Sequence, residues 1–143
     1  MKVKQISVFL ENKHGRLAQV TKTLGDNKIN IRAMSIADTT DFGILRLITS
    51  DPDASLQALQ RADFTVSVTD VIAVEIDDSP GGLSKVLDIL QQANINIEYL
   101  YAFVQKNSDA ALVVFRVEQL DEAIHVLQQN KVNILPGDRV YTL

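Results

Sequence analysis

The feature that most constrains the fold is an internal repeat. The segment ISVFLENKHGRLAQVTKTLGDNKINI at 6–31 aligns without a gap with IAVEIDDSPGGLSKVLDILQQANINI at 72–97. Both segments close on nearly the same five letters, NKINI and ANINI. Beyond them the match needs one-residue adjustments, but FGILRLIT (42–49) still corresponds to DAALVVFR (109–116). A repeat of this length indicates two copies of one structural unit.

Hydrophobic spacing predicts the elements of each copy. Strict alternation of apolar residues predicts a strand with one buried face, and the i, i+3, i+4, i+7 spacing of Leu17, Val20, Thr21 and Leu24 predicts an amphipathic helix. SDPD at 50–53 combines N-cap residues with proline, a helix-start pattern. The predicted strands are 6–10, 29–37, 44–49 and 64–70 in copy one and 72–76, 95–104, 111–117 and 132–141 in copy two, and the polar stretches 38–41 and 105–109 are predicted turns.

Each copy therefore runs β-α-β-β-α-β, with a second helix over 119–129 in copy two. This order predicts an α+β fold of two ferredoxin-like units, each with an antiparallel sheet and both helices on one face. We place the units at 1–70 and 71–143. The stretch TVSVTDVIAVEI (65–76) contains no glycine or proline, so one strand passes directly into the next copy and we expect the units to be held in contact.

The second strand of copy two carries three aromatic residues on one face. Their counterparts in copy one are small, so we expect the aromatic face to avoid the helices and to be buried against another unit or subunit. The alternative is that these rings form the helix-side core and leave Leu100, Ala102 and Val104 outside. The aromatic residues are Tyr99, Tyr101 and Phe103, opposite Ala33, Ser35 and Ala37 in the alignment.

Composition excludes several classes of function. A net charge of −4 argues against nucleic acid as a partner. Without cysteine there is no thiolate site or disulfide, and His14 and His125 alone make a poor metal set, so no cofactor is expected. No acid, base and nucleophile converge, which argues against an enzyme. Neither a signal-peptide pattern nor a membrane-length apolar run is present, so we expect a cytoplasmic protein without membrane contact.

The loop before the first helix of each copy is the candidate binding site. The first amides of a helix are unpaired and the dipole is positive there, and a glycine lets a ligand approach the backbone, which suits a carboxylate. Asn12 or Asp78 could accept from an ammonium group, and Asn30 or Asn96 offers a donor and an acceptor. Together they suit an α-amino acid. Equally, Asn12, Asp78 and the glycines could simply cap and turn the helix.

The sequence resembles the ACT domain, the small-molecule regulatory module of amino-acid metabolism. The resemblance rests on the duplicated β-α-β-β-α-β order, the [Asp/Asn]-x-x-Gly loop at 12–15 and 78–81, and Asn-Ile at the start of strand two. It covers essentially the whole chain, which looks like a stand-alone tandem ACT protein without a catalytic domain.

The resemblance implies a site and partners. ACT units pair, and an amino acid binds at their interface, between the loop before helix one and the start of strand two, often of the neighbouring unit. A homo-oligomer, most simply a dimer, and a metabolic enzyme as the regulated target are implied as partners. Copy two matches the family loop better, because copy one has His14 where proline is common. The implied ligand-binding residues are Asn12, His14, Gly15, Asn30 and Ile31, with Asp78, Pro80, Gly81, Asn96 and Ile97.

Two functions follow as expectations. The first is an allosteric sensor that binds a small amino acid, whose identity the sequence does not reveal. The second is a ligand-free interaction or dimerisation module that uses the aromatic face. Substitution of Asp78 and Asn96 would impair only the first, whereas substitution of Tyr99 or Tyr101 would impair the second.

Overall fold

The computed structural model describes residues 1–38, 41–103 and 110–143. The predicted turn at 105–109, the centre of the turn at 38–41, and Val104 therefore lie outside the described residues. In chain order the elements are β1 (Val3–Glu11), α1 (Arg16–Asp26), β2 (Ile31–Asp38), β3 (Phe42–Thr49), α2 (Pro52–Arg61), β4 (Thr65–Asp77), α3 (Gly82–Gln92), β5 (Ile97–Ala102), β6 (Ala110–Val117), α4 (Leu120–Gln129), β7 (Ile134–Leu135) and α5 (Gly137–Tyr141).

The chain divides into two compact units. The first unit comprises Lys4–Thr69 with Tyr141–Leu143, and the second unit comprises Met1–Val3 with Asp70–Val140. Residues near each end of the chain contact the unit to which they belong. In the first unit the Tyr141 hydroxyl accepts from the Lys4 amide at 2.8 Å, and in the second unit Lys2 pairs with Asp121 at 3.0 Å.

Both units have the predicted α+β topology. Strand order is β2-β3-β1-β4 in the first unit, and in the second unit β4 lies between β7 and β6, with β5 beyond β6. The β1–β3, β2–β3, β4–β6, β4–β7 and β5–β6 pairs are antiparallel. The β-α-β-β-α-β prediction is thus confirmed for both copies.

Each unit has its own apolar core between its helices and one face of its sheet. The alternating strand residues at 6–10 and 72–76 are buried there, as predicted. The predicted stripe of α1 is buried at Val20 and Leu24, but Leu17 at its start is 39% exposed. Helix α2 begins as predicted, because the Asp51 side chain accepts from the Ala54 amide at 3.0 Å and Pro52 stands in the first turn.

Strand register assigns the aromatic residues to the face opposite the helices. Directly paired residues of antiparallel strands project to the same side. Leu100 pairs with Phe115, which belongs to the helix-side core, whereas Tyr101 pairs with Val114 on the other face. The alternative that the rings form the helix-side core is therefore wrong. Tyr101 is 8% exposed, and Tyr99 is half-buried.

The predicted final strand over 132–141 is wrong in most of its length. Only Ile134–Leu135 is extended, and Gly137–Tyr141 is helical. Pro136 has no amide to donate to a sheet, so the ladder cannot continue through it. The amides of Arg139 and Val140 instead donate to the Pro136 carbonyl at 3.1 and 3.2 Å, which turns the backbone into a helix.

The repeated NKINI and ANINI segments are helix ends followed by strand starts. Lys28 and Asn94 adopt positive φ angles of 60° and 57°, and the next amide donates back to a helix carbonyl, from Ile29 to Leu24 at 2.9 Å. This is the Schellman arrangement of a helix C-terminus. As a result, β2 and β5 each begin two residues later in the sequence than predicted. Helices α2 and α4 end in the same way, with Asp63 and Lys131 at positive φ and amides running from Phe64 to Leu59 and from Val132 to Leu127.

Replacing Lys28 with glycine is expected to stabilise the protein. A lysine in the left-handed region carries a steric cost of roughly 1–2 kcal/mol, which glycine removes. Glycine also loses more backbone entropy on folding, which offsets about 0.5–1 kcal/mol of this gain. We expect the free energy of unfolding to rise by about 0.5–1 kcal/mol, measured by urea denaturation. Asn94→Gly is the matched control, because asparagine already tolerates this conformation, and its gain should be smaller. A loss of stability in Lys28→Gly would contradict the assignment of the helix end.

Candidate ligand site

The predicted loops present the N-terminal ends of α1 and α3. Gly15 and Gly81 occupy the N-cap positions with φ angles of 82° and 85°, where a side chain would be strained. A glycine cap has no side chain to bond the first amides of its helix. At the first helical residue, the Gly82 amide donates to the Ser79 carbonyl at 3.0 Å. The loop geometry therefore leaves a positive helix end at an exposed turn in each unit.

In the first unit the loop borders a small charged cleft. Its volume is about 110 Å³, and it includes Asn12, one of the predicted residues. Lys13 pairs with Glu11 at 2.9 Å. A hydrogen bond and the charge of Lys13, and then the guanidinium of Arg16, hold the pKa of the Glu11 carboxyl below its ordinary value. One carboxylate and two cations thus stand beside the start of α1, a set that can contact both ends of a zwitterion.

Sequence reasoning missed Glu11, Lys13 and Arg16 at this cleft. Their signal was present, because charged residues flank Asn12 and Gly15 on both sides in the sequence ENKHGR. The remaining lining residues are Leu10, Leu17, Ile36 and Gly43.

The second unit has the same loop with different side chains. Asp78, Pro80 and Gly81 are exposed in the turn between β4 and α3. The following Gly82 lies against the end of β4, so that a Cβ on it would stand 2.0 Å from the Asp77 carbonyl oxygen.

The starts of β2 and β5 hold the other predicted residues. Asn30 and Asn96 are exposed, and the backbone of Asn30 exchanges hydrogen bonds with Ser50 at 2.9 Å in each direction. Ile31 and Ile97 are half-buried and pack against the two cores, a structural role. An open cleft of about 560 Å³ runs past Asn96 and Ile97 along α3.

Within one unit the loop and the start of strand two lie at opposite ends of the sheet. In the first unit Glu11 pairs with Phe42, whereas Ile31 pairs with Thr49, at the other end of β3. The length of β3 separates them by roughly 24 Å. The second unit repeats this, with Asp77 opposite Ala110 and Ile97 opposite Val117. One small ligand cannot contact both sets within a unit.

Comparison with known proteins identifies the family. The family model described as an ACT domain pair matches residues 1–143, and the chain belongs to this family. Protein BT0572 from Bacteroides thetaiotaomicron, known from a crystal structure, is 44% identical, with 100% of this chain and 98% of that one covered and a TM-score of 0.95.

More distant structures share the fold. The regulatory subunit of aspartate kinase from Thermus thermophilus, in its ligand-free form, is 16% identical, with 88% of this chain and 90% of that chain covered and a TM-score of 0.62. The corresponding subunit from Thermus flavus is 17% identical over the same shares, with a TM-score of 0.61. No curated protein matches the chain.

The ACT domain pair is a regulatory module, and no catalytic family is indicated for these 143 residues. In the described parts of the chain, no group of three or more His, Asp or Glu residues is placed to hold a metal ion. No helix among the described residues combines the length and the apolar character needed to cross a membrane.

Proposed function

We propose that this protein is an allosteric sensor that binds a small amino acid and regulates a metabolic enzyme. The observation that carries the proposal is the charged cleft at the start of α1. There the Glu11 carboxylate, the Lys13 ammonium and the Arg16 guanidinium line one small space with Asn12. A carboxylate can accept from the ammonium of an α-amino acid, while the cations and the helix end attract its carboxylate.

The separation of the predicted residues suggests how binding is coupled to assembly. Because the loop and the start of strand two are far apart within a unit, the proposed complete site takes its second half from another copy of the chain. Asn30 or Asn96 of that copy would face the loop ligand with an exposed amide. A ligand held in this way favours the paired state of the protein. Its effect is limited to the difference in affinity between the two states.

A second candidate function rests on the aromatic face. Tyr99 and Phe103 are half-buried on the sheet face away from the helices, and Tyr101 beside them is buried. Such a face is suited to contact with another protein surface. In this alternative the protein is a ligand-free interaction or dimerisation module, and Tyr99→Ala weakens partner binding while the loop variants have no effect.

A thermal-melt screen against the twenty amino acids at millimolar concentration tests the sensor proposal. A ligand at about 100 times its Kd adds roughly 2.7 kcal/mol to the stability of the folded state. We expect a clear rise in Tm with one or two related amino acids. Loss of a charge-assisted contact costs about 1.5–3 kcal/mol, so Glu11→Gln should weaken binding at the first-unit loop, and Asp78→Ala binding at the second-unit loop, each at least about tenfold.

Asp88→Ala is the matched control, since Asp88 is an exposed carboxylate of α3 outside the loop. It should leave the response to the amino acid unchanged. A flat screen on folded wild-type protein would refute the loop sensor and favour the interaction module. A response that survives Asp78→Ala, Glu11→Gln and Asn96→Ala together would also refute the loop sensor, because the amino acid would then bind elsewhere on the protein.

A further inference from the structure

The second unit contains a cleft of about 340 Å³. It lies between the end of β4, the first turns of α3 and the segment 130–133 that follows α4. None of the residues predicted from the loop or the start of strand two lines it. Its volume is in the range of small-molecule sites, about 300–1,000 Å³.

The cleft is lined by both signs of charge. Glu75 and Asp77 come from β4, Lys85 comes from α3, and Lys131 comes from the turn after α4. Glu75 alternates with Val74 and Ile76 of the helix-side core, so its side chain lies on the other face of the sheet. There the Asn133 side-chain amide donates to its carboxylate at 2.5 Å, and a 2.9 Å hydrogen bond joins the two backbones. Asp77, Lys85 and Lys131 therefore bring both signs of charge to the cleft, which favours a ligand that carries both a carboxylate and an ammonium group.

Apolar side chains form the rest of the wall. Val86 and Ile89 line the cleft from α3, and Val132 lines it from the segment after α4. Val86 is buried in the core, while Ile89 and Val132 are partly buried against it. This surface suits an aliphatic side chain.

The first unit fills the corresponding space with its own residues. The guanidinium of Arg16 lies 4.6 Å from the centre of the Phe64 ring, a cation–π contact. Its Nη1 donates to the Gln19 side chain at 2.9 Å. A charged planar group seated on an apolar surface thus occupies this place in the first copy.

The backbone fixes which residues correspond. Arg16 and Gly82 each directly follow the positive-φ glycine that begins α1 or α3. Phe64 and Val132 each follow the positive-φ residue that ends α2 or α4. The second unit therefore has glycine in place of arginine and valine in place of phenylalanine, and both filling side chains are missing. Close contact with the Asp77 carbonyl leaves no room for a side chain on Gly82.

We propose that this cleft is a second binding site, for a zwitterionic α-amino acid with an apolar side chain, and that the first unit has closed its own copy of it. Lys85 and Lys131 contact the ligand carboxylate, and Asp77 contacts its ammonium group. Val86, Ile89 and Val132 contact its side chain. The site is independent of the loop site proposed above, because it lies inside the second unit and needs no second copy of the chain.

Amide chemical shifts of the ¹⁵N-labelled full chain test the proposal, with L-valine, L-leucine, L-isoleucine, L-methionine and L-phenylalanine as probes at millimolar concentration. We expect saturable shifts at the amides of Lys85, Ile89 and Asn133 with at least one probe. Val132→Phe restores the side chain of the first unit and should abolish them. Lys85→Gln, an exposed change expected to leave the fold intact, should weaken binding at least about tenfold.

The two sites give distinguishable results. Asp78→Ala should leave the shifts at Lys85, Ile89 and Asn133 unchanged, so a response at the cleft alone refutes the loop sensor and supports the cleft. A response at the loop without any shift at those three amides supports the loop sensor and refutes the cleft. Shifts at the cleft that persist unchanged in both Val132→Phe and Lys85→Gln would overturn the proposal.

Discussion

Gly82→Ala is expected to lower the free energy of unfolding by about 3 kcal/mol. The added Cβ would lie 2.0 Å from the Asp77 carbonyl oxygen and 3.0 Å from its carbon. Both are backbone atoms at the end of β4, so neither can turn aside as a flexible side chain would. The start of α3 must move away from the strand, and Val86 in the next turn loses part of its packing in the core.

Gly25→Ala is the control for this substitution. Gly25 lies within α1, and a Cβ there meets no atom within 4 Å. Alanine is favoured over glycine in a helix by up to about 1 kcal/mol, so this variant should gain stability. Urea denaturation followed by circular dichroism measures both variants. If Gly82→Ala loses less than about 1 kcal/mol, the contact between the start of α3 and β4 is looser than the structure shows.

The fold could be predicted because the sequence repeats the same pattern of hydrophobic residues in both copies. Alternating and helical spacing each depend on residues close in sequence, and the alignment of 6–31 with 72–97 allowed each copy to support the other. The errors occurred where backbone conformation overrides hydrophobic spacing. Ile29 and Ile95 are apolar and β-branched, but their amides complete the preceding helices. Pro136 ended a strand that its apolar neighbours favoured.

The sites were less predictable for a different reason. The glycines at 15 and 81 mark a helix start that a sequence can reveal, because they are needed for a positive φ. The cleft of the second unit exists because it lacks the arginine and the phenylalanine of the first unit. A sequence motif is defined by residues that are present, so it does not reveal such a cleft. It becomes visible only when Gly82 and Val132 are compared with Arg16 and Phe64 at equivalent backbone positions.

Phe115→Ala is expected to have the largest effect of any prediction here, a loss of about 3–5 kcal/mol. Phe115 lies on β6, which pairs with β4 on one side and β5 on the other. It is fully buried in the core formed with α3 and α4. Removing its ring leaves a cavity between the sheet and both helices, which the close-packed surroundings cannot fill.

Phe9→Ala separates the effect of burial from the loss of an aromatic ring. Phe9 is 45% exposed and stacks on Phe42 with ring centroids 4.7 Å apart. An exposed aromatic pair contributes about 0.5–1.5 kcal/mol, so this variant should lose far less stability than Phe115→Ala. Denaturation of both variants therefore also tests the strand register. Similar losses would mean that Phe115 does not face the helices, and Leu100 and Tyr101 would then exchange faces as well.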